Sequence, residues 1–218
     1  EIIEYNGYCY IECYDYTKGS FVIRRIRTVN LPQADNAGLW QTISSPIPQW
    51  PGAYETFKGS LYMANSANHP ALAQLYKYDR SVLTQIMNNG FGRTDGNSLG
   101  CMKPFGGYLY AAVYSWYGAK NYIYRSKDGV TNWELVYAIP GNPIFNMNMI
   151  TYMGRLYVIT SGNTNVYSTD GVTWQTLTSQ KLGDNKYYVM SSIAEFNNSI
   201  YVSTGSSTGA KLWKAKVE

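Results

Sequence analysis

A seven-residue unit recurs five times in this chain and restricts it to very few folds. An aromatic residue is followed two positions later by Gly or Asn, and then by a Leu, Ile or Cys next to a Tyr that enters an apolar run. The copies are Tyr5-Asn6-Gly7-Tyr8-Cys9-Tyr10-Ile11, Phe57-Lys58-Gly59-Ser60-Leu61-Tyr62-Met63, Phe105-Gly106-Gly107-Tyr108-Leu109-Tyr110-Ala111, Tyr152-Met153-Gly154-Arg155-Leu156-Tyr157-Val158 and Phe196-Asn197-Asn198-Ser199-Ile200-Tyr201-Val202. Tyr10, Tyr62, Tyr110, Tyr157 and Tyr201 are spaced by 52, 48, 47 and 44 residues. That period, with strand-type content, is the pattern of a β-propeller with one sheet per repeat. A single blade cannot bury its own faces, so the repeats form one domain over 1–218, with blades at about 1–46, 47–90, 91–141, 142–183 and 184–218.

Each repeat reads as four antiparallel strands, A innermost to D outermost. Strand A ends at the repeated aromatic, the Gly or Asn makes a tight turn, and strand B carries the repeated Tyr. Apolar residues alternate or come in short runs cut by Gly, Asn and Pro, and helix signals are poor throughout. The expectation is an all-β, five-bladed β-propeller of four-stranded antiparallel blades. The last blade lacks its outer strand in this reading, which leaves the closure of the ring open. The first residue is not Met and no leader pattern follows it, so the chain reads as a processed or excised piece, with further segments of a longer parent chain as possible partners.

Composition narrows the function classes. Only 15% of residues are charged while Tyr occurs 22 times, a polar but weakly charged makeup that points to an extracellular or particle-surface protein. Net charge is +4, and the one dense basic cluster, Arg24, Arg25 and Arg27, falls within a predicted strand. No nucleic-acid motif accompanies it, so no nucleic-acid partner is expected. No apolar run approaches the roughly 18–20 residues of a membrane span, so no membrane insertion is expected. Cys9 and Cys13 share a strand face roughly 13 Å apart, too far to bridge each other, though either could reach Cys101. With His69 as the only imidazole, a zinc site is improbable, and neither a metal nor a cofactor is expected.

Two blades share a turn between strands C and D: Ser126-Lys127-Asp128-Gly129-Val130-Thr131-Asn132-Trp133 and Ser168-Thr169-Asp170-Gly171-Val172-Thr173-Trp174. Asp accepts backbone hydrogen bonds, Gly takes the costly turn position, and Trp packs on the blade. These stretches resemble the Asp box of sialidase-type, or BNR-repeat, propellers, Ser/Thr-x-Asp-x-Gly-x-Thr-Trp, but place Gly directly after Asp. Kelch repeats are a second resemblance, without their double glycine after strand B. The first resemblance implies that Asp128, Gly129, Asp170 and Gly171 are structural, on the face away from the usual ligand site, and that Trp40, Trp133 and Trp174 pack the blades.

No catalytic set stands out, and no catalytic residue is assigned. The strand A acids Glu1, Glu4, Glu55 and Glu195 read as solvated strand-end groups, and His69 lies in a loop before Pro70. The loops expected around the channel mouth are instead rich in aromatics beside amides and charges. Trp50, Phe91, Arg93, Asp95, Trp116, Tyr117, Phe145, Asn146, Tyr187 and Tyr188 are the candidate ligand-binding residues, able to stack on sugar rings or to anchor a protein contact. The leading expectation is a non-enzymatic recognition or adhesion module for a glycan or surface protein. The alternatives are a glycoside-acting enzyme using Glu55 or Asp95, and a structural interaction domain of a larger chain.

Overall fold

A computed structural model describes residues 2–44, 50–66, 72–95, 98–114, 121–140, 147–160, 164–177, 189–206 and 209–215. The chain forms five antiparallel sheets in a ring, a five-bladed β-propeller. Blade 1 comprises β1 (Ile2–Tyr5), β2 (Tyr8–Asp15), β3 (Ser20–Arg27) and β4 (Gln41–Thr42). Blade 2 comprises β5 (Trp50–Phe57), β6 (Ser60–Ser66), β7 (Gln74–Asp79) and β8 (Val82–Met87). Blade 3 comprises β9 (Ser98–Phe105), β10 (Tyr108–Tyr114), β11 (Asn121–Ser126) and β12 (Glu134–Ile139). Blade 4 has β13 (Met147–Tyr152), β14 (Arg155–Thr160), β15 (Val166–Ser168) and β16 (Gln175–Thr176). Blade 5 has three strands among the described residues: β17 (Val189–Phe196), β18 (Ser199–Ser206) and β19 (Gly209–Ala215).

The inner hairpins follow the repeat as expected. All five turns between the first two strands hold two successive residues at positive φ: Asn6-Gly7, Lys58-Gly59, Gly106-Gly107, Met153-Gly154 and Asn197-Asn198. This two-residue turn matches the twist of the flanking strands, and its second position is always Gly or Asn. Outer strands are less regular. β4 and β16 have two residues each, and the long connection before β4 forms two 3-10 turns, Thr28–Gln33 and Ala37–Leu39. Blades 2 and 3 also meet where the end of β6 pairs with the start of β9, at Ser66 and Ser98.

The core is divided among the joints between consecutive blades. Tyr10 and Ile23 of blade 1 pack with Leu61 and Met63 of blade 2. Tyr62 and Leu75 meet Leu99 and Leu109 across the next joint, and Tyr110 and Ile123 meet Leu156 and Val158 across the one after. Tyr157 and Ile159 meet Ile200 and Val202. The repeated tyrosines Tyr10, Tyr62 and Tyr110 are 1% exposed, so each ring is interior to a joint while its hydroxyl needs a partner.

That partner explains the departure from the Asp-box spacing. Tyr62 donates from its hydroxyl to the Asp128 carbonyl at 3.2 Å, and Tyr110 to the Gly171 carbonyl at 3.3 Å. Each tyrosine of one blade therefore ends on the turn of the next. Gly129 and Gly171 sit at φ +74° and +77°, and a Cβ on either would run into the tyrosine tip: 2.9 Å from Tyr62 Cζ, 2.8 Å from Tyr110 Cζ. Gly directly after Asp is thus required twice over, by the backbone and by the incoming ring.

The aspartates hold those turns together. Asp128 Oδ1 accepts from the Val130 and Thr131 amides at 2.9 and 2.8 Å, and its Oδ2 from the Thr131 hydroxyl at 2.6 Å. Asp170 Oδ1 accepts from the Val172 and Thr173 amides at 2.8 and 2.7 Å. These donors hold both carboxyls well below the usual carboxylate range: Thr131 contributes most at Asp128, and the Val172 amide most at Asp170. Burial and the Asp128 and Asp79 charges push the Tyr62 phenol up to about 12.

Two predictions follow from these contacts. Gly171→Ala should lower the unfolding free energy in urea by about 1–3 kcal/mol, and Tyr110→Phe in the same chain should recover part of that loss because the clash is with the hydroxyl end. Strict additivity of the two changes would contradict the contact. Because both aspartate pKa values lie below their unfolded values, their stabilisation is complete above pH about 4 and is lost as pH falls through the folded values. Asp128→Asn with Asp170→Asn should therefore flatten the acid limb of a melting-temperature profile below pH about 4.

Candidate functional site

The innermost strands β5, β9, β13 and β17 surround a central cavity of about 460 Å³. Their backbones come close around it: a Cβ at Gly52 would lie 2.5 Å from the Leu99 carbonyl oxygen, so only glycine lets β5 approach β9 there. The wall includes Tyr54, Glu55, Lys103, Asn148 and Ser192. Glu55 and Lys103 occupy the same place in their repeats, two residues before Phe57 and Phe105.

Lys103 Nζ donates to Glu55 Oε2 at 2.9 Å, and the Thr56 amide donates to Glu55 Oε1 at 2.9 Å. Both oxygens are therefore held. The glutamate side chain is 12% exposed and the lysine 34%, so the pair faces the cavity from a largely buried carboxylate. Glu55 is the one carboxylate among the described residues of the wall. A fixed carboxylate in such a channel can stabilise positive charge that develops on a bound substrate, and the ammonium beside it can donate to an oxygen. Among the described residues, no group of three or more His, Cys, Asp or Glu is placed to hold a metal ion. Cys9, Cys13 and Cys101 form no disulfide among the described residues.

The sequence-derived binding residues fall into two groups. Phe91, Arg93 and Asp95 are described, and their contacts are internal. Phe91 stacks on Tyr124 with centroids 4.7 Å apart and meets Trp133 edge-on at 5.1 Å. Arg93 lies 3.9 Å above the Tyr122 ring and donates to Asp95 at 2.8 Å. Together they fasten the connection leaving blade 2 onto β11. Trp116, Tyr117, Phe145, Asn146, Tyr187 and Tyr188 lie outside the described residues, as does the side chain of Trp50, whose backbone begins β5. Asp128, Gly129, Asp170 and Gly171 form the two turns already described.

Sequence reasoning passed over Lys103, Asn148 and Ser192. The usable signal was the shared repeat position of Glu55 and Lys103, an acid and a base at matching points of adjacent inner strands. The reading of Glu55 as a solvated strand-end acid is corrected for the same reason: the ring turns that position toward the cavity and pairs it.

No protein-family model matches the chain. No curated protein sequence matches it either. Solved structures do match in fold. A Bombyx mori GH32 β-fructofuranosidase is 13% identical with a TM-score of 0.55, over 92% of this chain and 53% of that one. The GH43 protein BlXynB from Bacillus licheniformis is 12% identical with a TM-score of 0.51, over 100% of this chain and 52% of that one. A chain of a nidogen/laminin complex is 12% identical with a TM-score of 0.58, over 92% of this chain and 72% of that one. The chain spans about half the length of the two glycoside hydrolases. The expectation of a non-enzymatic recognition or adhesion module is corrected by this comparison, in which two of the fold neighbours are glycoside hydrolases.

Phe91→Ala tests the internal role of that ring. It should lower the unfolding free energy by about 2–3 kcal/mol, as loss of a partly buried aromatic does. A ring waiting for a ligand would leave stability within about 0.5 kcal/mol.

Proposed function

We propose that this propeller acts on a glycoside bound in its central channel, with Glu55 as a reacting carboxylate and Lys103 as the group that positions it. The observation that carries this reading is the Glu55–Lys103 pair at 2.9 Å in the wall of a cavity of about 460 Å³. Sugar-sized ligands fit cavities of about that volume. The fold neighbours named as glycoside hydrolases support the same class of substrate.

Glycoside hydrolysis in its usual form takes two carboxylates, about 5–5.5 Å apart for retention or about 6.5–9.5 Å for inversion. Glu55 supplies one. Held by two donors on its two oxygens, it suits the nucleophile or charge-stabilising role better than that of proton donor. For the second, the sequence offers Asp184, which lies outside the described residues; Asp95 is ion-paired with Arg93 at 2.8 Å and is not part of the wall. The Asp–Gly turns add a likeness to Asp-box propellers, and in this reading they brace the ring rather than touch substrate. A low-charge, Tyr-rich chain also fits work outside the cell or on a particle surface, where polymeric glycosides are met.

The experiment is a panel of aryl furanosides and pyranosides assayed with the purified chain. Turnover of at least one substrate is expected, with Glu55→Gln lowering kcat by about 10²–10⁴-fold while melting within a few degrees of the parent. Asp184→Asn then tests the second acid, with Asp95→Asn as the control outside the wall. Full activity in Glu55→Gln sinks the assignment, as does a panel with neither turnover nor a sugar-induced shift at Glu55.

A further inference from the structure

The polar groups of the channel wall change level from one side of the ring to the other. Counting back four residues from the repeated aromatic gives Ala53, Cys101, Asn148 and Ser192 on β5, β9, β13 and β17, and all four line the cavity. Counting back two gives Glu55, Lys103, Ile150 and Ala194. Blades 2 and 3 therefore carry an ion pair at the second level, whereas blades 4 and 5 carry an amide and a hydroxyl at the first. Two residues along a strand cover about 7 Å. Glu55 and Lys103 are the charged side chains of the wall among the described residues, so its blade 4 and 5 side is polar but neutral.

The frame does not call for an amide at Asn148. Ala53 and Cys101 fill the same position in their blades while 3% and 9% exposed. The ladder between β13 and β14 runs through the backbone, where Asn148 pairs with Ile159. Asn is also a poor strand residue. Its Nδ2 is buried and meets no acceptor among the described residues. Asn165, in the connection before β15, shows the contrast: its Oδ1 accepts from the Thr160 amide at 2.9 Å. A polar group that costs the strand and serves no contact of the fold calls for a role outside the fold.

We infer that Asn148 is the specificity-determining residue of this channel. With Ser192 on the adjacent inner strand, it reads the hydroxyls of a neutral sugar ring whose reacting bond lies at Glu55. The inference rests on the glycoside reading above and narrows the class of sugar to an uncharged one, with a free hydroxyl on the side away from the bond that is cut. A carboxamide offers two donors and an acceptor, and a serine hydroxyl a donor and two lone pairs, so each can meet a sugar hydroxyl in either sense. The terminal torsion of Asn is soft, so Nδ2, shielded in the free protein, turns into the cavity when a hydroxyl arrives. A uronate finds no cation on that side among the described residues and is disfavoured.

The test measures binding in the Glu55→Gln chain as well as turnover in the parent, so that recognition is read apart from chemistry. The probes are arabinose, xylose, galactose and fructose, their monodeoxy analogues, and galacturonate. The side-chain amide signals of Asn148 should shift in an NMR titration with at least one neutral sugar. Asn148→Ala should melt at or above the parent temperature, because removing an unpaired amide costs the fold nothing. It should bind that sugar about tenfold more weakly, yet bind the analogue lacking the recognised hydroxyl as the parent does. Its KM for the matching aryl glycoside should rise by a similar factor, with kcat much less affected. Binding with the amide shift but without any turnover would count against Glu55 and for Asn148. Turnover with unchanged affinity and discrimination in Asn148→Ala would do the reverse. A melting temperature several degrees lower in Asn148→Ala, tighter binding of galacturonate than of every neutral sugar, or no binding of any probe would each overturn the inference.

Discussion

A tyrosine tip resting on a glycine of the next blade is the contact on which this ring depends. A propeller blade buries little within itself, so its stability is mostly stability of joints. Hydrophobic packing supplies the joint but does not fix how one sheet is set against the next. The Tyr62 and Tyr110 hydroxyls, donating to Asp128 and Gly171, add that fixed point. The two other joints use a related device. Tyr5 donates to the Gly59 carbonyl at 2.6 Å and Tyr152 to the Asn198 carbonyl at 2.7 Å, reaching the inner turn of the next blade instead. Where the inner strand ends in Phe, at Phe57 and Phe105, the second-strand tyrosine makes the tie to the Asp–Gly turn. Each joint between successive blades, from 1 to 5, is therefore pinned by a phenol.

The fold was legible because its signal is repeated. Any one Gly-x-Leu-Tyr stretch is weak, but five at a near-constant spacing cannot be arranged on a helix or a single sheet. Outer strands were less legible: β4 and β16 are two residues long, short of what alternation can reveal. The site was harder still. Glu55 and Lys103 are 48 residues apart and meet only because the ring fixes the register of β5 against β9. Phe91 shows the converse. Its Asn-Gly-Phe-Gly surroundings read as an exposed loop, yet φ +64° at Phe91 turns the ring inward onto Tyr124 and Trp133. Loop composition predicts position along the chain better than it predicts which way a side chain points.

These two zones are separate in the fold. The phenol ties and Asp–Gly turns lie at blade joints and turn ends, while the Glu55–Lys103 pair lies on the inner strands. The wall of the cavity holds an ion pair, whereas rings dominate the joints, with Arg25 donating to the Tyr78 hydroxyl across the first of them at 2.9 Å. Such a division lets the channel chemistry vary without loosening the frame, which accords with one fold serving glycoside hydrolases and a nidogen/laminin complex alike.

The ties between blades also run one way. Blades 2, 3 and 4 each send a phenol forward and receive one from behind, so a stretch one period long from this part of the chain contains both a plug and a socket. A gene segment copying a whole repeat thus copies both halves of the coupling, and the added sheet arrives able to engage its neighbours on either side. Growth of such rings by tandem duplication needs no new contact to be invented, only the old one to be repeated.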